Sequence, residues 1–168
     1  KGNTLSQCDN YAIWVQALAS TTVSYNEIFD SPGGGIHASY SSTVTVTYNK
    51  VARSYRAIWL SDSLTSPTFD YNTLSDCEFG ILGPSYTGPT GASISHNTIS
   101  GMSIVGINMG SGKSTDMDSN EIFGCRMGMQ LWGLDSWTMS GNDLHDNEYN
   151  MFISATTANL NSITLDTD

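Results

Sequence analysis

Apolar side chains occur along this chain mostly one at a time, alternating with Ser, Thr, Asn and Gly, the pattern of strands with one buried face. Seven times an Asn is followed two residues later by an aliphatic side chain: Asn3/Leu5, Asn26/Ile28, Asn49/Val51, Asn72/Leu74, Asn97/Ile99, Asn120/Ile122 and Asn142/Leu144. Subtracting successive positions gives steps of 23, 23, 23, 25, 23 and 22 residues. A period in that range signals a repeat architecture. Val23, Val46, Phe69, Ile94, Met117 and Met139 each stand three places before a repeat Asn. Nine or ten places after it comes an apolar residue preceded by a small one or Asn, as in Gly35-Ile36, Ala57-Ile58, Gly80-Ile81 and Asn150-Met151. One unit therefore predicts three short strands with corners between them, and the chain reads as a single all-β domain over 1–168, a coil of about seven turns.

Each strand of such a coil stacks on its counterpart in the next, about 4.8 Å away. The repeat Asn then meets its equivalents above and below, and a ladder of side-chain amides satisfies groups turned inward. The small residue before the third apolar position suits a corner with positive φ or little room. The Asn-x-aliphatic and Gly-Ile motifs resemble the repeats of the right-handed parallel β-helix of the pectin-lyase-like superfamily, over residues 3 to 153. The resemblance implies that the Asn marks the corner between second and third strands and that Ile13-Trp14-Val15 and its counterparts form the first strand. It also implies that the loops after that strand (16–22, 39–43, 61–67, 83–92, 110–115 and 132–137) build any substrate groove.

Six Lys plus Arg against sixteen Asp plus Glu give a net charge of −10, and only 13% of residues are charged, so Ser, Thr, Asn and Gly carry solubility. This composition points to an extracellular, secreted or virion-associated solenoid. It argues against nucleic acid or an anionic membrane surface as partner. The chain shows no apolar run of membrane-spanning length and no signal peptide at Lys1. It opens inside a repeat without a capping helix and is expected to be part of a longer protein.

Cys8, Cys77 and Cys125 each fall five residues after a repeat Asn, in one column with Ser31, Ser54, Met102 and Asn147. The nearest two thiols are two coils apart, about 10 Å, too far for a disulfide. They are expected to be buried and reduced. Asp30, Arg53 and Asp76 form a second column, and Glu27 with Lys50 a third; both read as rim ion pairs.

The outward position of the first strand is occupied by Trp14, His37, Trp59, Leu82, Asn108, Gln130 and Phe152, and the next outward column includes Gln16, Ser39, Ser61 and Trp132. A row of exposed aromatics marks an interaction site. Two readings stand: a saccharide groove, or an apolar seam against another protomer or domain. Trp14 and Trp59 lie two coils apart, about 10 Å, so one glycan spans both indoles while His37 and Gln16 bond its hydroxyls. The charge of the chain favours a neutral glycan.

Neither outward column contains a carboxylate, so the paired acids of a glycosidase are missing, as are the Asp cluster, Gly-His-Asp and Arg-x-Lys patterns of the superfamily's enzymes. Asp62, Asp135, Arg56, Glu78 and His37 are the nearest candidates and form no motif; Arg56 and Glu78 read as an inter-coil ion pair. Enzymatic activity stays open, and would be that of a polysaccharide lyase or glycoside hydrolase. Gly110-Ser111-Gly112-Lys113-Ser114-Thr115 resembles a P-loop but has Ile107 where the motif needs Gly. Asp143-Leu144-His145-Asp146 reads as a solvated corner. Outward Thr and Ser pairs suggest an ice-binding face, which Asp70, Asp116 and Asp118 interrupt. Asp116 and Asp118 offer at most a weak Ca²⁺ site, and no cofactor is expected. The preferred reading is recognition of an extracellular or cell-wall polysaccharide through Trp14, Gln16, His37, Trp59 and Trp132; the alternative is the shaft of a viral or phage spike, a homotrimer with its Trp column at the seam.

Overall fold

The computed structural model describes residues 2–16, 19–40, 43–61, 64–84, 88–111, 113–133 and 135–154. Among these residues twenty strands follow one another three to a coil, and the pairings between their coils are all parallel. Sheet A, of seven short strands, starts at Thr4–Ser6 and ends at Asp143–His145; sheet B, also of seven, runs from Tyr11–Gln16 to Tyr149–Ser154; sheet C, of six, runs from Ser20–Ser24 to Asp135–Ser140. The molecule is a parallel β-helix of six full turns plus two further strands, against about seven turns read from the repeat.

The repeat Asn sits between sheets C and A. Asn26, Asn49, Asn72, Asn97 and Asn120 are all buried, and each donates from Nδ2 to Oδ1 of the next at 2.8–3.1 Å. The same Oδ1 also accepts the backbone N–H of the preceding Asn, as Asn72 Oδ1 does from Asn49 at 3.0 Å, while Asn72 Nδ2 reaches back to the Val46 carbonyl at 2.8 Å. Every lone pair and proton of an interior ladder amide therefore has a partner, which is what burial of an amide requires. Beneath the ladder lie Ile28, Val51, Leu74, Ile99 and Ile122 from sheet A, with Ile36, Ile58, Ile81, Ile107 and Met129 from sheet B. Sheet C contributes the Val23, Val46, Phe69, Ile94, Met117 and Met139 column.

Corner geometry resolves the small residues. A Cβ on Gly35, Gly80 or Gly106 would lie 2.3–2.7 Å from the carbonyl oxygen of the next coil, so crowding by backbone excludes larger side chains there. Positive φ is found elsewhere, one place before and four places after each repeat Asn. Tyr25, Tyr48, Tyr71 and His96 hold the first position with φ of 55–58°, and Asp30, Arg53 and Asp76 the second with 51–52°. The 25-residue step is absorbed between Leu82 and Ser93, whose counterparts one coil earlier are Trp59 and Thr68.

Candidate functional site

The outer face of sheet B brings Trp14, His37 and Trp59 into register on adjacent coils, followed by Leu82, Asn108, Gln130 and Phe152. The first three rings stack on one another. Trp14 and His37 have centroids 5.6 Å apart and planes 17° apart; His37 and Trp59 are at 4.1 Å and 14°. A serine one coil onward anchors each of the first two: Trp14 Nε1 donates to Ser39 Oγ at 3.4 Å, and His37 Nε2 lies 3.2 Å from Ser61 Oγ. His37 thus fills the space between the indoles and is only 6% exposed, whereas Trp14, at the open end of the stack, is 56% exposed. Gln16 is exposed beside it. An indole with a free face is a platform for a sugar ring, and a ring closed between neighbours is not.

Tyr11 completes the cluster, and it does so by crossing a coil. Its register neighbour is Gly34, where a Cβ would lie 2.8 Å from the Tyr11 ring, so only glycine leaves room for the phenol to lie over that coil. From there Tyr11 packs against His37 at 4.7 Å and Trp59 at 5.5 Å, and its hydroxyl accepts a hydrogen bond from Arg56 Nη1 at 3.1 Å. The Arg56 guanidinium lies over the rings of Tyr55 and Trp59, 4.5 and 4.6 Å from their centroids, as cation–π contacts require. The expected pairing of Arg56 with Glu78 is therefore not formed: the arginine turns to the aromatic face and Tyr11, and the ion pairs among the described residues do not include it.

Two nitrogens in this cluster are buried without a hydrogen-bond partner, His37 Nδ1 and Arg56 Nε. Burial, with the Arg56 charge adding to it, lowers the pKa of His37 to about 4, so its ring is neutral at pH 7. At the far end of the same face, Trp132 is 37% exposed and its Nε1 donates to Asn108 Oδ1 at 3.0 Å; Asn108 Nδ2 donates in turn to Gln130 Oε1 at 3.1 Å. Trp132 is five coils from Trp14, about 24 Å, so sequence reasoning grouped residues that the coil places at opposite ends of one strip. It missed Tyr11, Tyr55 and Gly34: an aromatic two places before the partly buried Ile13, in register with a glycine one repeat later, marks a crowded corner but not where the ring goes.

The remaining candidates have structural partners. Arg53 makes a two-pronged contact with Asp30, 2.7 Å from Nε to Oδ1 and 3.0 Å from Nη2 to Oδ2, and this hydrogen bonding holds the exposed Asp30 carboxyl below its ordinary range. Asp116 accepts from Thr138 and Asp118 from Ser140, so both carboxylates of the suggested Ca²⁺ site, and hydroxyls of the suggested ice-binding face, are engaged within sheet C. His145 Nδ1 lies 3.0 Å from Asp146 Oδ2 on an exposed corner. Lys113–Asp118 is a strand, which no P-loop tolerates. Asp62, Gly112 and the side chains of Lys113 and Asp135 lie outside the described residues.

All three cysteines are free; Cys77 and Cys125 are buried and Cys8, in the first coil, is half-buried. Their column is a second ladder. Ser31 Oγ, Ser54 Oγ, Cys77 Sγ and Cys125 Sγ each donate to the carbonyl two residues earlier, at 3.2–3.4 Å. Ser31 Oγ and Cys77 Sγ also accept the N–H of the column member one coil before, Cys8 and Ser54, each at 3.4 Å.

Three parallel sheets and an aromatic strip on the outer face of sheet B define a β-helical solenoid. The chain belongs to the NosD family, described as periplasmic copper-binding protein (NosD), whose profile matches residues 1–88 and, overlapping them, 34–166. A periodic chain aligns with a repeat family in more than one register, which explains the overlap. No curated protein matches the chain. Among the described residues no three His, Cys, Asp or Glu side chains come together as a metal site. Cys77 and Cys125 are two coils apart, about 10 Å, and metal–sulfur bonds of roughly 2.3 Å cannot bridge them. Burial also raises the Cys77 pKa to about 11, against the thiolate that a metal requires.

Proposed function

We propose that the chain recognises an extracellular or cell-wall polysaccharide along the outer face of sheet B, as a binding module or as part of a polysaccharide-active protein, in the extracytoplasmic space that the family description implies. The observation that carries this reading is the Trp14 ring, 56% exposed, held by Ser39 at the open end of a stack, with exposed Gln16 on the same strand and the Tyr11–Arg56 pair further along the face beside Trp59. An aromatic platform beside fixed donors is the arrangement that binds a sugar by its apolar face and its hydroxyls together. Trp59, whose ring is covered by His37 and Arg56, supports the platform from below.

The test is a glycan array followed by calorimetry on any cell-wall oligosaccharide that binds, with wild type and Trp14→Ala compared. The variant is expected to weaken binding by about tenfold, which corresponds to 1.4 kcal/mol, with the mass by light scattering unchanged. Conversion of a trimer to monomers by Trp14→Ala would transfer the aromatic face to a subunit seam, and the spike-shaft reading would replace this one.

A further inference from the structure

We infer that the ligand of this face carries an anionic substituent, a carboxylate, sulfate or phosphate group, and that Arg56 receives it. The inference rests on the polysaccharide reading and adds a charge to it. The chain has sixteen acidic side chains for six basic ones, so a carboxylate for every arginine is the ordinary expectation. Arg53 has Asp30 and Arg126 has Glu148, at 2.7 and 3.8 Å. Arg56 has none among the described residues, and it lies on the aromatic face.

The cluster holds the guanidinium in place without neutralising it. Tyr55 and Trp59 pack on the group, and of its five N–H donors the hydrogen bonds of the described residues account for one, to Tyr11 Oη. Rings hold such a group by its faces, and the in-plane N–H edge is left for an acceptor. Arg56 Nε remains unpartnered, as does Nδ1 of His37, whose ring is more than nine-tenths buried in the same cluster. Neutral sugar hydroxyls accept singly; an oxyanion accepts two parallel bonds and supplies the missing charge, the pairing for which arginine is suited. Glu78, the acid that sequence spacing offered, is exposed and makes no ion pair with Arg56, so no carboxylate among the described residues occupies the position. The net charge of −10 argued for a neutral glycan, but a contact charge outweighs a distant diffuse one once salt screens beyond about 8–10 Å.

The experiment compares affinities of the intact chain for four oligosaccharides of equal length at 0.15 M salt: a neutral glucan, an oligouronate, a sulfated oligosaccharide and a phosphodiester-linked cell-wall glycan. At least one anionic probe is expected to bind tenfold or more tightly than the neutral one, and its identity distinguishes carboxylate, sulfate and phosphate as the source. Arg56→Gln should abolish the preference and Arg56→Lys should restore part of it, while Arg126→Gln, on a paired surface arginine, should leave it intact. Equal affinity of wild type for neutral and anionic probes, or equal weakening of both by Arg56→Gln, overturns the anionic assignment and leaves saccharide recognition standing. Failure of all four to bind overturns both.

Discussion

Among the columns of stacked side chains that run along this coil, the Asn ladder and the outer column of sheet B differ in what they repeat. The inner column is Asn at every step, and each interior amide meets the same partners: the next Oδ1, the preceding backbone N–H and a sheet C carbonyl. The outer column of sheet B changes at almost every step, from Trp14, His37 and Trp59 through Leu82 to Asn108, Gln130 and Phe152. A buried amide tolerates only a neighbour that completes its hydrogen bonds, so one residue type propagates along the axis. An outward side chain is free of that condition, and variety there is where recognition chemistry accumulates. The inner column builds the fold and the outer one differentiates it.

The largest expected effect breaks the inner column. Asn72→Ala leaves the buried Asn49 N–H and the Val46 carbonyl without their ladder partner and takes one bond each from Asn49 Nδ2 and Asn97 Oδ1, and is expected to cost about 1–3 kcal/mol, the usual penalty for buried unsatisfied polar partners. Asn3→Ala, at an exposed position bonded to Asn26 alone in the ladder, should cost less. Urea midpoints compare the two directly. Equal midpoints would mean that the ladder does not act as a chain of mutually dependent bonds.

A smaller effect sharpens the outer column. His37 is held neutral in the folded chain, with its pKa at about 4, and returns to the ordinary value near 6.5 on unfolding. Between those values the unfolded state binds the extra proton, so stability should be at its reference level above pH 6.5 and fall as pH drops toward 4. The exposed His145, whose pKa the Asp146 hydrogen bond raises, acts in the opposite sense. The decisive quantity is therefore the difference between wild type and His37→Gln, with Gln keeping an amide near Ser61. If the two lose stability in parallel from pH 7 to pH 4, the ring stack is not what sets that histidine's charge.

The contrast between columns also explains what could be read in advance. The period, the ladder, the register of every strand and the place of the 25-residue step all follow from residues that meet their own counterparts, so a spacing in sequence is a contact in space. The left-handed corners were not legible, because Tyr48, Arg53 and Asp76 adopt there a conformation that a sequence ordinarily signals with Gly or Asn. Nor was the path of Tyr11, which depends on an absent side chain at Gly34 and ends on Arg56, two coils away. Arg56 turned from Glu78 because ring faces and a phenol lay within its reach, a choice that spacing alone does not decide. The site was legible as a strip and illegible as a cluster.

The smallest expected effect lies in the second inner ladder, where sulfur and oxygen do the same work. Cys77 Sγ donates to the Ser75 carbonyl at 3.2 Å and accepts from the Ser54 N–H at 3.4 Å, while one coil earlier Ser54 Oγ makes the equivalent bond to Ala52 at 3.3 Å. Serine therefore already fills this position in the same backbone, and Cys77→Ser is expected to change stability by less than about 1 kcal/mol, well below the Asn72 substitution. The same geometry predicts that Cys77 and Cys125 react with a thiol reagent only as the coil unfolds, while half-buried Cys8 reacts sooner. It predicts as well that copper(I) added to the folded chain finds no stoichiometric site at these sulfurs. Binding of one equivalent of copper(I) by the folded chain, lost in Cys77→Ser, would show that the thiol leaves the ladder to bind metal, and this column would then belong with the outer face as a carrier of function.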